Sequence, residues 1–75
     1  MNVLVVGGAG YIGAHVIREL QASGRNVVVL DDLSSGVREN VPSDVPLIVA
    51  SVADRDAVTA ALSENNVDGV IHLAA

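Results

Sequence analysis

Two spacings of apolar residues alternate along the chain, and together they predict its elements. "VLVV", Val3 to Val6, is a continuous branched run, and continuous rather than alternating hydrophobicity suits a strand covered on both faces. From Tyr11 the period becomes three and four. Ile12, Val16 and Leu20 recur with Gly13 and Ile17 beside them, which predicts a helix ending near Ser23-Gly24. "NVVVL", Asn26 to Leu30, reads as a second buried strand, and "PLIVA", Pro46 to Ala50, as a weaker third whose leading proline suits an edge. Asp54 stands where it would cap a helix with apolar face Val58, Ala61 and Leu62, running to about Asn65. Val70, Ile71 and Leu73 complete a fourth strand. Between the second and third strands, Asp31 to Val45 reads as an irregular crossover with one short helical turn around Val37 to Asn40.

Strands alternating with crossovers of this length predict a parallel sheet. If the chain doubles back at its first strand, the order is 3-2-1-4: an α/β, Rossmann-like half-domain with flanking helices, spanning residues 1–75. A chain of this length makes one small domain, burying only about 60 to 65% of the surface its unfolded form exposes. Tyr11 is the sole aromatic residue, so the core must be built from Val, Leu, Ile and Ala. The net charge of -5, spread along the chain, argues against nucleic acid and anionic membranes as partners. Cysteine is absent, which excludes disulfides and thiolate metal sites. The first apolar run is too short for a secretory signal, and a cytoplasmic location is expected.

The chemistry lies where the first strand meets the first helix. In "GGAGYIG", Gly7, Gly8, Gly10 and Gly13 omit side chains at four of seven positions. A glycine-rich turn between a strand and a helix aims free backbone N–H groups at one point, where the helix dipole adds about half a positive charge. An anion is expected there. In the two-phosphate case Gly7 permits the turn, Gly10 lets the phosphates approach, and Gly13 lets the helix sit close. Two registers fit, beginning at Gly7 or at Gly8. Asp31, 18 residues beyond Gly13 at the end of the second strand, can accept both ribose hydroxyls of an adenosine and would repel a 2'-phosphate. NAD is therefore expected in preference to NADP.

"VLVVGGAGYIGAH", "VVVLDDLSSG" and "VIHLAA", in this order and spacing, resemble the amino-terminal third of the extended short-chain dehydrogenase/reductase family, most closely its UDP-glucose 4-epimerase branch. The resemblance covers essentially the whole chain. It implies that Tyr11 and Ile12 lie beside the pyrophosphate, and that Asp32, Leu33, Ser34, Ser35 and Gly36 surround the ribose held by Asp31. It also sets Leu73, Ala74 and Ala75 along the cofactor, and Ser51 and Val52 beside the adenine. Ser51 is a departure, because the family carries an aspartate there, and the loss should weaken adenine recognition by about 1 to 2 kcal/mol.

In that family a sugar hydroxyl is oxidised by hydride transfer to NAD and the hydride is returned, with a Tyr-x-x-x-Lys pair moving the proton. This chain has no lysine, and its only tyrosine is in the glycine loop. The resemblance thus implies an NAD-binding fragment without the catalytic pair or the substrate domain, a truncated product or one piece of an assembly. Two other readings remain open: a stand-alone nucleotide-binding module, and a fold-only interaction protein. An open fourth-strand edge would invite a homodimer, whose joined sheet would be antiparallel only at its centre. Other chemistry-bearing residues read plainly. His15 falls on the outer side of the first helix, His72 reads as a core histidine in a doubly covered strand, and Asp54 and Asp56 open a helix rather than form a carboxylate pair.

Overall fold

The computed structural model describes residues 1–73. The elements are β1 (Asn2–Val6), α1 (Tyr11–Ala22), β2 (Asn26–Asp31), β3 (Leu47–Val49), α2 (Arg55–Glu64) and β4 (Gly69–His72), with a 3-10 turn at Arg38–Asn40 in the crossover. The four strands form one parallel sheet in the order β3-β2-β1-β4, as expected.

The register explains why the central strands are apolar at every position. Val3 and Val5 face one side of β1 with Ile17 of α1, while Leu4 and Val6 face the other with Ala61 of α2. β1 pairs Val5 with Val29 on one side and with Ile71 on the other, so each layer continues across the sheet. The crossover covers the α1 face through Val41 and Val45. With no aromatic side chain to fill the gap, the helices approach on small residues: Gly13 on α1 and Ala61 on α2 are buried.

Three expectations need correction. The inward stripe of α1 is Gly13, Ile17 and Leu20, whereas Ile12 is 67% exposed. The first turn is rotated so that Gly13, the only residue there without a side chain, meets the loop. Leu62 lies at the margin of the α2 contact rather than in it. His72 is exposed, because β4 is an edge strand and its register puts Val70 and His72 beyond the cover of α2; only the face bearing Ile71 is packed.

At the amino ends of the strands, polar side chains tie distant segments. The Asn2 amide nitrogen donates to the carbonyls of Asn65 and Asn66 after α2, and the Asn2 backbone N–H donates to Asp68 at 2.8 Å. Asp54 caps α2 by accepting the Ala57 N–H at 3.1 Å, as its position suggested.

Ile17 is fully buried and Ile12 is not. Ile17→Ala should therefore cost about 2–5 kcal/mol in urea denaturation, and Ile12→Ala within about 0.5 kcal/mol. Equal losses would contradict the helix orientation described.

Candidate functional site

Parallel sheets form crevices at the carboxyl ends of their strands where the strand order reverses, here between β1 and β4. An open cleft of about 580 Å³ lies at that end. Val6, Leu30 and Asp31, Ala50, and Leu73 border it from the four strand ends, and the loops supply the rest of its walls.

One wall is the glycine loop. Gly7 leaves β1 at φ +83, a conformation that side chains other than glycine rarely adopt, and its N–H donates to the Leu30 carbonyl at 2.8 Å. A methyl group at Gly13 would lie 2.5 Å from the Gly8 carbonyl oxygen, so α1 is pressed against the loop backbone itself. Gly8 is buried between Val5 and Val29, away from the cleft, while Gly7, Gly10 and Gly13 line it. The glycines that line the cleft are thus those of the Gly7-x-x-Gly10-x-x-Gly13 register.

Gly10 opens α1 and offers no side-chain cap, and no acidic residue occupies the first turn. The amides of Tyr11, Ile12 and Gly13 are thus left without intrahelical acceptors at the positive end of the helix dipole. Beyond Gly10 the space is open, the nearest atom to an added methyl being 3.9 Å away. Tyr11 and Ile12 stand exposed at the rim, the Tyr11 ring meeting His15 edge-on at 4.9 Å between centroids.

The facing wall begins at Asp31. The residue is 9% exposed, and its carboxylate accepts the Ala9 N–H at 2.9 Å through Oδ2 and the Leu33 N–H at 2.8 Å through Oδ1. The second bond supports Leu33 in a left-handed turn, φ +63, that sends the chain across the cleft mouth. Asp32, Ser34, Ser35 and Gly36 then line the cleft. The exposed Asp32 carboxyl is held below its ordinary pKa, first by the Ser34 backbone N–H and then by the Ser34 side chain.

Most residues singled out from the sequence are therefore brought to one cleft, with exceptions. Leu33 turns into the α1-side core, and Ser51 holds its own loop by accepting the Ala53 N–H, while its neighbour Val52 reaches the cleft. Ala74 and Ala75 lie outside the described residues. Val6, Leu30 and Ala50 were not anticipated; their position at strand ends was the available signal. Ala9 escaped notice because its part is played by its buried backbone unit, and Asn40 because its side chain binds that unit's carbonyl. His15 and His72 are outside the cleft lining, and among the described residues no cluster of three or more His, Asp or Glu side chains could hold a metal. Nor, among them, is any helix long and apolar enough to cross a membrane.

Comparison with known proteins places this geometry. Residues 3–75 match the model of the family described as NAD dependent epimerase/dehydratase. A UDP-glucose 4-epimerase of Azospirillum brasilense is 43% identical over 73 residues, covering 97% of this chain and 21% of that protein. One from Bacillus subtilis is 43% identical over 81 residues, covering 99% of this chain and 24% of that protein. The crystal structure of the Thermus thermophilus UDP-glucose 4-epimerase in complex with NAD aligns at a TM-score of 0.94 and 47% identity, over all of this chain and 24% of that one. The chain thus spans about a quarter or less of the length of these relatives.

The two glycines of the helix start should respond differently to a methyl group. Gly13→Ala meets backbone at 2.5 Å and should lose about 1–3 kcal/mol of stability. Gly10→Ala meets open space and should lose about 1 kcal/mol or less by thermal or urea denaturation. The reverse ranking would mean that α1 does not rest on Gly8.

Proposed function

This chain belongs to the NAD dependent epimerase/dehydratase family, and on that premise we propose that its cleft binds NAD as the dinucleotide-binding part of a UDP-glucose 4-epimerase-like enzyme. The observation that carries this reading is the pairing, across one cleft, of an uncapped helix start with the carboxylate of Asp31. Residues 1–75 are, in this proposal, an NAD-binding half-domain, and a cytoplasmic setting in which NAD is available belongs with it.

The residues fit the dinucleotide. The amides of Tyr11, Ile12 and Gly13 hold the diphosphate, with Gly7 and Gly10 clearing its approach. Each oxygen of Asp31 has accepted one backbone N–H and keeps a further lone pair, so the carboxylate can accept two ribose hydroxyls without releasing Ala9 or Leu33. Asp32, Ser34, Ser35 and Gly36 wall the adenosine side with Leu33 behind them, and Val52 borders the adenine. Leu73 extends the floor towards the nicotinamide. When bound, NAD supplies the group that takes a hydride from a sugar carbon and returns it. The chain itself binds and orients; it contains no lysine, so the Tyr-x-x-x-Lys proton transfer implied by the family is not made by these residues.

A homodimer is also proposed, through the outer edge of β4. Val70, on the bare face of that strand, is 53% exposed, and among the described residues the strand has a neighbour only at β1. Edge pairing with a second copy would satisfy its free backbone groups.

Calorimetric titration should show NAD binding with an affinity on the order of tenfold or more above that for NADP, because a 2'-phosphate would sit against the Asp31 and Asp32 charges. No heat with either nucleotide would overturn the reading in favour of a fold-only role. Light scattering at high concentration should give a dimer that Val70→Lys dissociates, whereas a monomer would dispose of the edge pairing.

A further inference from the structure

Ala9 is fully buried and lies outside the cleft lining, yet both walls are fastened to it. Its N–H goes to Asp31 Oδ2 at 2.9 Å, and its carbonyl accepts the Val37 N–H at 3.0 Å and the Asn40 Nδ2 at 2.9 Å. A methyl group at Gly36 would lie 2.8 Å from the Ala9 carbonyl carbon and oxygen, so the crossover backbone rests directly on this peptide unit. Among the described residues, Asn40 contributes the one side chain that reaches from the crossover to the Ala9 carbonyl. Asn40 does not line the cleft, and the 3-10 turn that carries it has no buried residue. Its polar tip is thus the one side-chain tie between the exposed 3-10 turn and the glycine loop, beside the backbone bond from Val37.

We infer that Asn40 is a positioning residue that sets the spacing between the diphosphate wall and the adenosine wall by holding the crossover to Ala9. The inference rests on the reading of the cleft as a dinucleotide site. Ligands that span both walls depend on that spacing, and ligands held by the glycine loop alone do not.

The test compares the wild-type chain with Asn40→Ala, using ADP as the spanning probe and inorganic pyrophosphate as the one-wall probe. Affinity for ADP should fall about threefold to tenfold, the range of one hydrogen bond, and affinity for pyrophosphate less than about twofold. Equal losses, or none, overturn the inference. Amide hydrogen exchange without ligand separates it from the functional reading: the amides of Ala9 and Val37 should exchange at least about threefold faster in the variant. If the wild type binds neither probe, the functional reading fails and exchange alone decides. Acceleration confined to Asn40 and Val41, with Ala9 unchanged, would then refute the tie.

Discussion

The carboxylate of Asp31 is the point on which sheet, glycine loop and crossover converge. It lies at the end of β2, one strand away from the loop it holds, and its two oxygens take one backbone N–H from each side of the cleft. Either amide would otherwise be a donor without a protein partner, at a cost of about 1–3 kcal/mol if buried. The same residue that faces the expected ribose is therefore also a structural member. This dual use explains how a loop of three glycines, each adding backbone freedom, is held in one shape. The freedom is removed by neighbours: Leu30 fixes Gly7, Asp31 fixes Ala9, and α1 rests on Gly8.

The rest of the fold serves that convergence. Strands of Val and Leu pack on both faces without aromatic bulk, which keeps the layers thin and lets α1 deliver its first turn to the strand ends. Coverage is uneven. β1 and β2 are enclosed, whereas β3 is short and β4 shows one packed face and one bare one. Among the described residues every buried side-chain nitrogen and oxygen has a partner, so the polar groups drawn into the site are satisfied within the protein.

Much of this was legible in the sequence, for physical reasons. Element types and strand order followed from apolar spacing, and the glycine positions with Asp31 identified the cleft. What sequence spacing could not supply was rotation and cover. A period of three and four fits both the Ile12 and the Gly13 stripes, and only the close approach to Gly8 selects the second. His72 sits in a strand as apolar as the others, but whether a strand is enclosed depends on its neighbours in the sheet, which periodicity does not report. The Ala9 tie was invisible because its key donors and acceptors are mostly main-chain atoms, common to all residue types.

The pairing of β1 with β4 has a consequence for the order in which the molecule comes together. β1 leaves the ribosome well before its partner along one side, Gly69 to His72, because every other element is made between them. Through that interval the strand at the centre of the sheet keeps one flank without its neighbour, and the Asn2 contacts to Asn65, Asn66 and Asp68 cannot form. Contacts between such remote segments also slow folding, since a long loop must close before they contribute. The nascent chain is thus exposed to mispairing until β4 has emerged.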